Sequence, residues 1–405
     1  MHFGSETSRP ISLWSLFWLC FKLGSTAFGG FMALISVFES LIVKQRQLLT
    51  HEDMLNGISL VSVLPGPLAI NLVAYVGYRL RGGLGAFVSM TGVILPSFLV
   101  VTGLTIIYLR VGEIAAVNQA FLGFTPAVVA IILNAVWRMS QRTIKSWREL
   151  MIALLAIVGL NLVKGFGGTL AVVVGAGIMG SIWLPSPQQT QCVQPQQLSD
   201  SKLQLPIILK MINALLLLLG VTLVSLWLLP YLPETSLTKI LFTCSSMSLT
   251  LFGGGYVFIP LIQEVMVDNY GWVTETQFVN AIAIGQITPG PVLISVAFIG
   301  YVIKGILGAA AATIGIFSPP ALLTVICSHL LEQINQSRVV QAALRGIRPA
   351  VIGMILTAAL VIAKTAAIHW ATLVIFSLAM LALWRLRLVV VLVIPIAGIL
   401  GILLY

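Results

Sequence analysis

The chain has 405 residues, of which 59% are hydrophobic and 8% charged, with a mean hydropathy of +1.05. A soluble domain carries about a quarter charged residues, so a water-exposed globule, a disordered chain and a disulfide scaffold are all disfavoured. The net charge of +10 is scattered singly or in pairs between apolar runs, which argues against nucleic acid and for the loop cations of a membrane protein.

A helical span needs about 20 apolar residues. About thirteen apolar segments follow along the chain, over 13–43, 55–78, 83–109, 114–137, 149–163, 166–184, 206–230, 237–267, 278–303, 305–331, 339–363, 367–384 and 387–405. They are continuous rather than alternating, so the expected fold is an all-α polytopic membrane protein and not a β-barrel. Arg9-Pro10 precedes the first segment without a small-residue cleavage pattern, and that segment reads as a retained span. Residues 185–205 are rich in Pro, Gln and Ser and form a solvated linker. The expected units are an N-terminal repeat over 12–184, the linker 185–205, a linking span over 206–232 and a C-terminal repeat over 236–405. Cys20, Cys192, Cys244 and Cys327 have no paired spacing, and no nucleotide-binding or hydrolytic motif stands in a plausible context. An enzyme, a metal centre and a cofactor are therefore not expected.

Repetition is the strongest signal. Phe28-Gly29-Gly30 recurs as Phe252-Gly253-Gly254, and Pro65-Gly66-Pro67 as Pro289-Gly290-Pro291, both at an offset of 224. Thr50 matches Thr274 and Asn56 matches Asn280 at that offset. After one deletion Gly77-Tyr78 matches Gly300-Tyr301, and Pro96 matches Pro319. With the segment at 206–230 as an extra span, corresponding spans are an odd number apart. The halves are then inverted, as in many secondary transporters. An N-terminus in the cytoplasm places fourteen of the 22 basic residues inside and seven outside, with Lys22 in the first span. That bias predicts a cytoplasmic N-terminus and an external C-terminus.

Pro-Gly-Pro inside an apolar segment breaks a helix, because proline lacks an N–H and clashes with the preceding turn. Open backbone inside a bilayer is tolerated only against protein or a water-filled cavity. A helix restarting there aims N–H groups and a positive dipole end inward, which suits an anion. A packing kink is the plainer alternative. The Gly-Gly motifs permit either close helix contact or close approach of backbone to a ligand. Each precedes its Pro-Gly-Pro by the same 36 residues, which predicts that the two motifs meet within each half. Substrate-contact candidates are Lys22, Phe28, Gly29, Gly30, Pro65, Gly66, Pro67, Asn71, Phe252, Gly253, Gly254, Gln286, Thr288, Pro289, Gly290 and Pro291. Glu39 and Glu264 are candidates for proton coupling, with interfacial solvation as the alternative.

These motifs carry a family resemblance. Lys22-Leu23-Gly24 with Phe28-Gly29-Gly30, Leu64-Pro65-Gly66-Pro67 with Gly77-Tyr78-Arg79, Phe252 to Tyr256, Tyr270-Gly271-Trp272, and Gly285 to Val292 resemble the chromate ion transporter family over both halves. The resemblance implies a long-form, two-domain member of the cell membrane. Such a member exports chromate in exchange for protons or driven by membrane potential. Sulfate is the implied alternative, because the two dianions are close in size and shape. Phe31 and Leu68-Ala69-Ile70 stand where many members have proline and polar residues. A smaller ligand contribution from the first half follows. A channel, or a protein whose motifs only pack helices, is the competing class. The implied partners are the oxyanion, protons and the lipid bilayer, with a homodimer left open.

Overall fold

The computed structural model describes residues 11–27, 31–111, 115–162, 166–183, 232–233, 235–249, 258–328, 338–365, 369–386 and 388–405. Phe28-Gly29-Gly30, Phe252-Gly253-Gly254, the linker 185–205 and all but residue 232 of the linking span lie outside the described residues. Among the described residues every element is helical, and each half supplies seven α-helices. The first half holds α1 Leu13–Thr26, α2 Phe31–Glu39, α3 His51–Val63, α4 Leu68–Val111, α5 Ala115–Thr143, α6 Trp147–Leu162 and α7 Phe166–Trp183. The second holds α8 Leu237–Leu249, α9 Phe258–Ile262, α10 Glu275–Ile287, α11 Ser295–Cys327, α12 Arg338–Thr365, α13 Trp370–Trp384 and α14 Val390–Leu404. A π-helical turn extends α2 over Ser40–Gln45 and α9 over Gln263–Asn269.

The sequence repeat is a repeat of local geometry. Thr50 and Thr274 open α3 and α10 with the same capping box. Each side chain accepts from the N3 amide, and Asp53 or Gln277 accepts from the cap amide. The predicted breaks are present. α3 ends at Val63 and α4 starts at Leu68, while α10 ends at Ile287 and leads through a 3₁₀ turn, Val292–Ile294, into α11. Gly66 has φ +102° and Gly290 φ +104°, a region that favours glycine alone.

The segments 55–78 and 278–303, expected as single spans, need correction: each is a helical hairpin. Arg79 donates to Asp53 at 2.7 Å, and a Cβ on Gly57 would meet the Tyr75 ring at 2.6 Å. Straight helix would hold residues 53 and 79 about 39 Å apart. In the second half a Cβ on Gly285 would meet Ser295 Oγ at 2.6 Å, again across the break. Hydropathy carries no direction, so a hairpin and a straight span of equal length look alike. The left-handed glycine between two prolines is what reverses the chain. The 13 residues of α3 rise about 20 Å, short of a ~30 Å hydrocarbon core, so a hairpin of this height ends inside such a layer.

A second reversal follows in each half. Arg81 and Gly82 leave helical geometry inside α4, and Lys304 and Gly305 do so inside α11. The backbones of Gly77 and Gly85 touch, as do those of Gly300 and Gly308, although eight helical residues span about 12 Å. Each helix is therefore two limbs folded together, and only glycine lets them approach so closely. α1 packs on the long second limb of α4, and α8 packs likewise on that of α11.

The remaining helices are exchanged between halves. α5 packs against α13 and α14 of the second half, and α12 packs against α6 and α7 of the first. Gly123 meets Ala397 and Gly401 backbone to backbone, and Gly346 meets Ala176 and Gly180 in the same way. Among the described residues, four helical stretches are long and apolar enough to cross a membrane: Leu68–Arg110 and Val292–Cys327, each with its fold between limbs, and Asn118–Gln141 and Ala342–Lys364. Shorter apolar helices lie over Ala171–Trp183, Trp370–Trp384 and Val390–Leu404. Large side chains such as Phe87 and Ile182 point outward, 69% and 79% exposed, as lipid-facing residues do.

Candidate functional site

The two hairpin tips carry the Pro-Gly-Pro motifs, and each docks on the opposite half. The Gly290 amide donates to the Ala27 carbonyl at 3.0 Å. Ser97 Oγ donates to the Pro289 carbonyl at 2.6 Å. A Cβ at Gly290 would overlap Ser97, and one at Gly66 would overlap the Pro320 ring. Ser97 and Pro320 are equivalent positions, each following a proline of the matched pair Pro96 and Pro319. The expected meeting of Gly-Gly and Pro-Gly-Pro within each half concerns Phe28-Gly29-Gly30 and Phe252-Gly253-Gly254, which lie outside the described residues. Ala27, which immediately precedes Phe28, meets the tip of the other half.

The tips are buried and polar. Gly66, Pro67, Gly290 and Pro291 are buried, with Pro65 and Pro289 half-buried. Asn71 is fully buried; its amide Nδ2 donates to the Pro65 carbonyl at 2.9 Å and closes the first tip. Its Oδ1 has no partner. Thr288, 4% exposed, donates to the Gly285 carbonyl at 2.9 Å. Gln286 is 6% exposed, and its Nε2 has no hydrogen-bond partner. An unpaired buried amide costs about 1–3 kcal/mol, so this donor suits an acceptor brought by a ligand. The ion pairs Glu39–His51 at 3.0 Å and Asp53–Arg79 at 2.7 Å sit away from the tips, at the base of the first hairpin. The Thr288 and Ser97 hydroxyls and the Gly290 N–H are spent on carbonyls, so the open polar atoms at the tips are the Gln286 Nε2 donor and the Asn71 Oδ1 acceptor.

The remaining candidates lie elsewhere. Lys22 is exposed on α1 along the stripe of Trp14 and Trp18, so the structure does not bring it to a buried tip. Glu39 pairs with His51, and Glu264 is engaged on the π-helical turn after α9. Ser97, Ala27 and Pro320 were not singled out from sequence. The Pro96–Pro319 match was the available signal, since the next residue in each half is the contact. Asn280 Nδ2 donates to the Tyr108 hydroxyl at 3.0 Å, a further bond between halves.

Helices alone among the described residues, several of them of membrane length and apolar, with outward-facing apolar side chains and buried polar helix breaks, define a multi-pass membrane protein. The chromate transporter family matches residues 14–181 and 238–402, and the chain belongs to that family, whose members are transport proteins and not enzymes. The chain is 28% identical over 359 residues to the chromate transport protein of Cupriavidus metallidurans, covering 89% of this chain and 84% of that one. It is 27% identical over 409 residues to the chromate transport protein of Pseudomonas aeruginosa, covering 97% and 92% respectively. The uncharacterized transporter YwrA of Bacillus subtilis is 31% identical over 140 residues, covering 34% of this chain and 79% of its own. No solved structure matches the chain.

Proposed function

We propose that this protein exports chromate across the cell membrane by secondary active transport, with the oxyanion held where the two hairpin tips meet the opposite half. The observation that carries this reading is the buried, unpartnered Gln286 amide donor in the last turn of α10, beside the Pro289-Gly290-Pro291 break. Tetrahedral oxyanions offer only acceptors, and helix breaks of this kind supply donors without a fixed positive charge. In this reading the hairpins are re-entrant and the halves inverted. The start of one long limb, Gly83 to Met90, and the end of the other, Ile314 to Val325, line one groove of about 490 Å³, an arrangement that supports antiparallel limbs. That groove is almost wholly apolar and does not suit the ion itself. The second tip bonds across to the first half and the first tip packs on Pro320 of the second, so moving one half against the other would change the surroundings of both tips. Protons are the proposed counter-ion, with Glu39 and Glu264 as the carboxylates that exchange them.

The test is counterflow in proteoliposomes. Vesicles loaded with unlabelled chromate should transiently concentrate labelled chromate from outside, and an imposed proton gradient should change the rate. Sulfate inside should drive the same overshoot if the tips read only a tetrahedral dianion. Simple dissipation with no overshoot would sink the carrier reading and favour a channel.

A further inference from the structure

Lys239 lies in the first turn of α8, and only 5% of its surface is exposed. Its ammonium stands 4.8 Å from the centre of the Tyr270 ring. That ring stacks on Trp272 at 4.7 Å, with 19° between the planes. No carboxylate pairs with Lys239 among the described residues, and Glu264 and Asp268 on the neighbouring turn have contacts of their own. The indole N–H of Trp272 is buried and has no hydrogen-bond partner.

Both groups are donors with no acceptor capacity, so neither can satisfy the other. The Tyr270 ring face answers part of the ammonium charge. A buried ammonium still calls for a counter-ion, and a buried indole N–H calls for an acceptor. One kind of ligand meets both needs: a group carrying several oxygens and negative charge. The cluster lies in the turn before α10, a hairpin's height of about 20 Å from the Pro289 tip, and is separate from it. Ser15, Arg46 and Leu48 stand at the corresponding places of the first half, so the duplication did not copy this cluster.

We propose that Lys239, Tyr270 and Trp272 form a second anion site at the base of the second hairpin, which takes an oxyanion. The ligand is either a free tetrahedral dianion or the phosphate group of a lipid. The site stands on its own donors and does not depend on the reading of the hairpin tips.

Full-length protein purified in a zwitterionic detergent is titrated with sodium sulfate at constant ionic strength while tryptophan fluorescence is followed. The contribution of Trp272 is obtained by subtracting the signal of Trp272→Phe. A saturating sulfate response should be present in the wild type and absent in Trp272→Phe. It should weaken by about tenfold in Lys239→Met, the effect of one lost charge-assisted contact. Lys239→Arg should keep most of it. If sulfate gives no Trp272 signal but phosphatidylglycerol does, with the same dependence on Lys239, the oxyanion is a lipid phosphate. No Trp272 signal with either ligand, or an unchanged signal in Lys239→Met, overturns the proposal. Transport by Gly290→Leu read in parallel keeps the two sites apart: its loss beside an intact Trp272 signal concerns the tips alone.

Discussion

Gln286 and Ser97 show how single residues set the character of the tips. Ser62 stands in the first half where Gln286 stands in the second, and its hydroxyl is spent on the Ile58 carbonyl of its own helix at 2.7 Å. The second tip therefore keeps a long amide whose donor end is unpaired, and the first does not. Gln286→Leu keeps the bulk and removes the donor. Its apparent KM for chromate should rise by about tenfold at an unchanged level in the membrane, the effect of one lost contact to a charged ligand. Unchanged KM would remove Gln286 from the ligand's surroundings. Ser97→Ala removes the bond to the Pro289 carbonyl and leaves the Gly290–Ala27 bond in place. It should lower stability by about 1 kcal/mol, seen as a Tm drop of a few degrees in detergent, and change the transport rate more than the affinity.

At the scale of the helices, close approach is bought by glycine at the limb crossings. Leucine at Gly77 or Gly300 would drive a side chain into the carbonyl of Gly85 or Gly308. Either variant should fail to accumulate as a monodisperse protein in fluorescence-detected size exclusion. Gly103→Ala is the control: nothing lies within 4 Å of a Cβ there, and the helix should gain about 0.5–1 kcal/mol. Equal behaviour of Gly77→Leu and Gly103→Ala would mean that the limb crossing does not support the fold. The helix breaks were legible because proline and glycine act on the chain locally, and Pro65-Gly66-Pro67 carries its consequence in its own chemistry. The direction after the break was not legible, since a hairpin needs Asp53 to find Arg79 and Gly57 to find Tyr75, which hydropathy does not encode. The docking partners were hidden for another reason. Ser97 and Pro320 share a position but no chemistry, so similarity between halves could not pick them out. In sequence Lys239 looks like any cation near the end of an apolar run, and its burial under Tyr270 is a property of the fold.

For the whole molecule, α14 packs antiparallel to α5 with Gly401 beside Gln119, so Tyr405 and Arg142 lie at opposite ends of that pair, and the basic cluster of Arg138, Arg142, Lys145 and Arg148 predicts a cytoplasmic Arg142 end. A reporter active only outside the cytoplasm should be active when fused after Tyr405 and inactive when inserted at Arg142; the reverse pattern would refute the inverted arrangement. The exchange of helices between halves also bears on how the protein is made. During synthesis α5 emerges with Gly123 bare, and its partners Ala397 and Gly401 are the better part of three hundred residues away. The first tip likewise waits for Pro320. Until the last helix leaves the ribosome, the first half must sit in the bilayer with small-residue faces and a polar hairpin tip uncovered. Nascent chains stalled between the halves are thus natural clients for membrane chaperones and quality-control proteases. Slow translation through residues 184–231 would prolong that exposure, so the yield of finished protein should depend on the pace of elongation there as well as on the stability of the final fold.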